Sequence, residues 1–152
     1  MGAEVKGFAE VHIEQGPVLE AQKLALGAVT GLVGQSRIKL YFRGLAGHAG
    51  TTPMPGRLDA FAAVAELAVF VEKYGLSIPH LVATIGMVQV RPGGANVIPG
   101  EVYFSLDIRH GDQPVLDQAT EVILAEAAHI AKRRGIKMEI ETKEAQAVVK
   151  CD

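Results

Sequence analysis

The sequence holds a few side chains whose type and placement could do chemistry. His12 and Glu14, in "EVHIEQG", stand two residues apart in a stretch that alternates apolar and polar residues. On a strand they share a face, and imidazole beside carboxylate suits zinc or manganese. An ordinary polar strand face explains the same pattern, and spacing alone does not choose. Gln15 follows at the turn. His48 lies in "GLAGHAGTTPM" (44–54), a glycine-rich loop between a strand and a helix, where functional side chains often sit. Glycine lets the backbone turn sharply, so this histidine is expected to project from its loop, whether toward a ligand or only into solvent. Asn96, in "GGANVIPG", fits plain turn chemistry. Arg109 shares a strand face with Tyr103, Ser105 and Asp107. It is placed either for a salt bridge to Asp107 or for two-pronged capture of a substrate carboxylate. His80, His110 and His129 read as structural.

Other chemistries are absent from the pattern. There is no G-x-S-x-G, no cysteine pair and no phosphate-cradling glycine loop in a strand–loop–helix context. The single cysteine, Cys151, excludes an internal disulfide and suits a reducing compartment. A net charge of -2 gives no reason to expect nucleic acid or an anionic membrane as partner. No apolar run approaches the ~20 residues of a membrane span, and "MGAEVKGFAE" lacks the plan of a signal peptide. The expected location is the cytoplasm.

These residues need elements to hold them. "FAEVHIE" (8–14) alternates like a short strand that stops at Gly16-Pro17, and "PVLEAQKLAL" (17–26) predicts about two turns of helix. From Ser36 the pattern is regular. "SRIKLYFR" sets Ile38, Leu40 and Phe42 on one face. "GRLDAFAAVAELAVFVEKYG" carries Leu58, Phe61, Ala65, Ala68 and Val69 at helical spacing, with Gly75 as a stop. "LVATIGMVQV" (81–90) is a strand apolar on both faces, and "GEVYFSLDIRH" (100–110) points Val102, Phe104, Leu106 and Ile108 one way. A second helix opens with Asp112 as cap and Pro114 in its first turn, and ends at Gly135. "IKMEIETK" (136–143) closes the series.

The order β-α-β-β-α-β predicts an α+β fold. It is a ferredoxin-like βαββαβ sandwich, a four-stranded antiparallel sheet with two helices on one face. Leu40, Phe42, Phe104, Leu106, Ile123 and Ile140 are expected to be deeply buried. The second strand falls at an edge in that topology, and its apolar character there predicts antiparallel pairing of 81–90 with a second copy. Residues 1–30 have no place in the sandwich, and "AVVKCD" supplies no closing element, so the chain reads as cut from something larger.

Four blocks, "EVHIEQGPVLE", "VGQSRIKLYFRGLAGHAGTTPM", "ANVIPGEVYFSLDIRH" and "AVVKCD", resemble the N-carbamoyl-L-amino-acid hydrolases and allantoate amidohydrolases, within the aminoacylase and carboxypeptidase clan. The resemblance implies a two-metal catalytic domain interrupted by a smaller lid that dimerises. It assigns residues 1–30 to the catalytic domain, 31–146 to the lid and 147–152 to the return. It implies His12 as a metal ligand, and Gln15, Asn96 and Arg109 as substrate-binding residues, the last two holding a carboxylate. His48 would be the catalytic lid histidine that reaches into the partner's site and polarises the scissile carbonyl. Two divalent ions (Zn, Mn, Co or Ni) would activate a bridging water in the full-length parent. The remaining ligands and the general base are missing from these 152 residues, so the chain alone is expected to hold no stoichiometric metal and to be inactive. Within this reading allantoate competes with N-carbamoyl-L-amino acids as substrate. A reading from another class is a non-catalytic, dimerising module that binds small molecules.

Overall fold

The computed structural model describes residues 4–151 and divides into two compact units, Met1–Thr30 and Gly31–Asp152. Among the described residues of the first unit the only regular element is a single turn of helix, α1 (Val18–Ala21). The Glu14 carboxylate accepts from the Val18 and Leu19 amides at 3.0 and 3.1 Å, so Glu14 serves as its cap. The strand expected over 8–14 does not form, and Val11 and Ile13 stand 97% and 74% exposed. Alternation alone cannot hold a strand, because its backbone groups need a neighbouring strand.

The second unit runs β1 (Gly31–Leu32), β2 (Gly34–Arg43), β3 (Gly47–His48), α2 (Ala60–Ser77), β4 (Val82–Arg91), β5 (Val97–Ile98), β6 (Glu101–His110), α3 (Gln113–Arg133), β7 (Lys137–Gln146) and β8 (Val149–Lys150). The long strands form an antiparallel sheet in the order β4-β6-β2-β7. Both long helices pack on one face of it, around a core led by Phe42, Phe104, Leu40, Ile38 and Ile123. This is the predicted ferredoxin-like βαββαβ sandwich. The opposite face is open and polar. The expectation that "AVVKCD" supplies no closing element is corrected: Val149 and Lys150 pair with Gly31 and Leu32, so the unit closes on itself with its two ends side by side.

Helix boundaries follow their caps. Asp59 accepts from the Phe61 and Ala62 amides at 2.9 and 3.0 Å, and Asp112 accepts from the Val115 amide at 3.2 Å; such caps contribute about 1 kcal/mol each. Gly135, at φ +67°, ends α3 as expected. Gly75 does not end α2, which runs on to Ser77.

Two expectations about burial need correction. In α2 the core side is Ala60, Ala63, Val64, Leu67 and Val71, whereas Phe61 and Val69 from the predicted stripe are about half exposed. The helix is apolar nearly all round, so periodicity offers two candidate faces and the sheet selects one. Ile140 is the second case. It lies opposite Leu40, but on an edge strand beside the register shift between Lys39 and Leu40, and it is 45% exposed. Phe104→Ala should therefore cost about 3–5 kcal/mol, while Ile140→Ala should cost less than about 1 kcal/mol. Urea unfolding of the two variants measures the contrast, and equal costs would contradict it.

Candidate functional site

The His48 loop is built from backbone contacts between segments far apart in sequence. Gly44 donates its amide to the Gly100 carbonyl at 2.7 Å, and Leu45 donates to the Leu58 carbonyl at 2.9 Å. A side chain on Gly44 would overlap the Leu58 carbonyl, and one on Gly100 would crowd Ala46. Glycine is needed at these two positions for close backbone approach, a different reason from the sharp turn expected from sequence. β3 then pairs with β5, setting His48 opposite Val97, and the Ala49 amide donates to the Asn96 carbonyl at 2.8 Å. The structure thus brings His48 and Asn96 together in one loop cluster, both exposed.

Arg57 staples this cluster. Its Nη2 donates to the Ala49 and Thr52 carbonyls, each at 2.7 Å. Sequence reasoning misses this arginine because its partners are backbone carbonyls, which no motif announces. The His48 ring is also fixed in character: the Gly50 amide donates to Nδ1 at 3.1 Å. A neutral imidazole that accepts at Nδ1 carries its hydrogen on Nε2. In that arrangement the exposed His48 ring has Nε2–H as its donor, a group suited to an oxyanion or a polarised carbonyl.

Arg109 lies elsewhere. It sits at the far end of ten-residue β6, paired with Gln35 of β2 and Val82 of β4, whereas the His48 cluster adjoins the Glu101 end. At roughly 3.3 Å per residue the two ends are roughly 25–30 Å apart. On the open face Arg109 is gripped by Asp107, Nε to Oδ1 at 2.7 Å and Nη2 to Oδ2 at 2.9 Å. Gln35, itself buried, donates to both carboxylate oxygens at 3.1 and 3.0 Å, and Arg37 donates from Nε at 3.3 Å. The hydrogen bond from Arg109 is the main reason the Asp107 carboxyl is held down to about 2, with Gln35 and Arg37 assisting against partial desolvation. Asp107 is ionised at any physiological pH, and its contribution to stability is lost only as pH falls from the ordinary carboxylate range toward 2. The same contact pushes the Arg109 guanidinium further up. Val82, Thr84, Gly86 and Ser105 join Asp107 and Arg109 around a shallow hollow of about 450 Å³.

The remaining sites are less organised. His12 is exposed and its Nδ1 faces the Ile13 carbonyl, while Glu14 is occupied as the α1 cap. Gln15 adopts a left-handed φ of +55° just before Gly16. Among the described residues no three His, Cys, Asp or Glu side chains gather as a metal site. The residues present do not fit a two-metal centre, and no chemical step can be routed through one here. His110 is structural as expected, with its Nδ1 accepting from the Asp112 amide at 3.0 Å and its Nε2 3.0 Å from the Pro79 carbonyl. Among the described residues no helix is long and apolar enough to cross a membrane.

The second unit is a βαββαβ sandwich closed by β1–β8, with the largely apolar β4 at one edge of its sheet. Residues 30–139 match the peptidase dimerisation domain, and the chain belongs to that family. It is 42% identical to an N-carbamoyl-L-amino acid amidohydrolase of Geobacillus stearothermophilus over 97% of its own length and 36% of that protein's. It is 38% identical to a probable allantoate deiminase of Oryza sativa subsp. japonica, over 97% of this chain and 34% of that one. Among solved structures, a hydantoinase/carbamoylase family amidase from Burkholderia multivorans superposes with a TM-score of 0.89 at 41% identity, over 93% of this chain and 34% of the other. The chain spans about a third of the length of these relatives.

Proposed function

We propose that this chain is the lid and dimerisation portion of a cytoplasmic, metal-dependent amidohydrolase that cleaves the carbamoyl C–N bond of N-carbamoyl-L-amino acids. The observation that carries the reading is the presence of two specialised groups in one unit: an exposed Nε2–H donor at His48, in the β3–β5 cluster, and a preset guanidinium at Arg109 on β6. The first suits a carbonyl that gains negative charge in the transition state, and the second suits a carboxylate. Asn96 adds an amide beside His48. An N-carbamoyl amino acid presents a ureido carbonyl and a carboxylate a few bonds apart.

Those groups are too far apart to hold one small substrate within a single copy, and a second copy resolves this. The two sheet edges differ. β7 carries Lys137, Glu139, Glu141, Lys143 and Glu144, charges that discourage pairing, whereas in β4 the only charge is Arg91 at its end. A groove of about 440 Å³ between α2 and β4 is lined by Ala68, Glu72, Leu76, Val82 and Thr84, and Leu76 is 84% exposed. Pairing β4 antiparallel with its copy, about a two-fold axis perpendicular to the sheet, continues the sheet and sets α2 against its mate. It also reverses the ends, so Arg109 comes toward the partner subunit's His48 and the partner's Asn96. The unit's adjacent ends suit an insertion within a larger domain. In that domain His12 would supply one metal ligand and Gln15 a substrate contact, with the other ligands outside these residues. Allantoate is also a ureido carboxylate, and the 38% identity to an allantoate deiminase keeps it as the second candidate substrate.

The test is to express the complete reading frame containing this chain with added divalent metal. Release of ammonia from N-carbamoyl-L-amino acids and from allantoate is then measured. Turnover of the first supports the reading, preference for allantoate selects the alternative, and turnover of neither overturns it.

A further inference from the structure

A guanidinium has two edges that can grip a carboxylate: the side formed by Nε and Nη2, and the end formed by Nη1 and Nη2. In Arg109 the side edge is already taken by Asp107 through two bonds of 2.7 and 2.9 Å. The carboxylate that takes it is itself fixed by the buried Gln35 amide and by Arg37, on the neighbouring strand. Arg109 and Arg37 both donate to this one carboxylate, beside the hollow formed with Val82, Thr84 and Ser105.

We propose that Asp107 is a positioning residue for Arg109, occupying its Nε/Nη2 edge so that the Nη1/Nη2 end is presented, already oriented, to the substrate carboxylate. The inference rests on the amidohydrolase reading above and adds a residue to it. An arginine on a long flexible stem loses rotamer freedom when it binds, and Asp107 with Gln35 imposes most of that loss in advance. Asp107 never meets the substrate in this arrangement. It acts only through Arg109, so its removal weakens carboxylate binding and leaves the bond-breaking step largely intact. Because Asp107 stays ionised down to about pH 2, the arrangement is permanent and gives no pH switch in the neutral range.

The experiment is steady-state kinetics of the complete protein with an N-carbamoyl-L-amino acid. Asp107→Asn should raise KM about 10- to 30-fold with kcat changed less than about three-fold. In an Arg109→Ala background, Asp107→Asn should add no further effect, because the group it orients is gone. Gln35→Leu, which frees the carboxylate without removing it, should raise KM in smaller measure and gives the same readout if Asp107→Asn does not fold. Side-chain NMR of the 152-residue chain supplies a readout independent of turnover. The Arg109 Nε–H signal, slowly exchanging in the wild type, should be lost to exchange in Asp107→Asn. A wild-type protein that turns over no ureido carboxylate would overturn the function reading. Active wild type with KM unmoved by Asp107→Asn and Gln35→Leu, or an equal effect of Asp107→Asn with and without Arg109, would overturn the positioning role alone.

Discussion

Mixing Arg109→Ala and His48→Ala homodimers of the complete protein, assayed with substrate near the wild-type KM, should restore activity that neither shows alone under the same conditions. Each substitution by itself should be severe. In the role proposed for His48, loss of a transition-state donor should cost about 10²- to 10³-fold in kcat. Loss of the Arg109 guanidinium should raise KM by about 100-fold, since it removes charge-assisted bonds to a carboxylate. Arg109 lies at one end of the four-stranded sheet and the β3–β5 cluster of His48 adjoins the other, and the proposed two-fold pairing along β4 would bring Arg109 toward the partner's His48. A mixed dimer therefore contains one site lacking both groups and one site with both intact. Random exchange makes half the dimers mixed, so about a quarter of wild-type activity should return. Recovery measured after proven subunit exchange checks this. No recovery would mean that His48 serves its own subunit or serves only the loop that holds it.

The second large effect is on association. Leu76→Glu combined with Val82→Lys should turn the dimer into a monomer at concentrations where the wild type is paired. Leu76 is 84% and Val82 58% exposed, so both changes should alter the stability of an isolated unit by only about 0.5 kcal/mol each. In the proposed contact, Leu76 on α2 and Val82 at the start of β4 would be desolvated, so the same changes bury charge there and should weaken the dimer at least about 100-fold. Sedimentation across a concentration series gives the constant, and thermal melting of the variant confirms an intact fold. If the dimer survives, the pairing edge is not β4. Activity should fall together with dimerisation, because separating the copies also separates Arg109 from its partner's His48.

Much of this arrangement is legible in the residues themselves. Val102, Phe104, Leu106 and Ile108 alternate with Tyr103, Ser105, Asp107 and Arg109, and that alternation by itself sets one face of β6 into the core and the other toward chemistry. Caps at Asp112 and Gly135 bound α3 within a residue or two. The order of strands and helices leads to the sandwich because amphipathic elements in that order have few ways to bury their apolar sides. Motif resemblance points to His12, Gln15, His48, Asn96 and Arg109 as a set, and spacing alone does not.

What only the tertiary structure decided are relations between distant parts of the chain. Residues 8–14 have strand alternation, but a strand exists only where another backbone completes its hydrogen bonds, and local pattern carries no information about that neighbour. The core side of α2 is open in the sequence for a related reason: a helix apolar on two faces is oriented by the sheet it meets. Gly44 and Gly100 matter because two backbones touch there, and Arg57 matters because two loop carbonyls converge on it. The separation of His48 from Arg109 follows from the length and direction of β6 and from pairings between residues far apart in sequence. In the sequence, the proximity of Asp107 to Arg109 presents a choice between a salt bridge and a substrate clamp. The salt bridge takes the Nε/Nη2 edge of the guanidinium, and among the described residues no hydrogen bond takes Nη1, so the salt bridge does not exclude the proposed clamp.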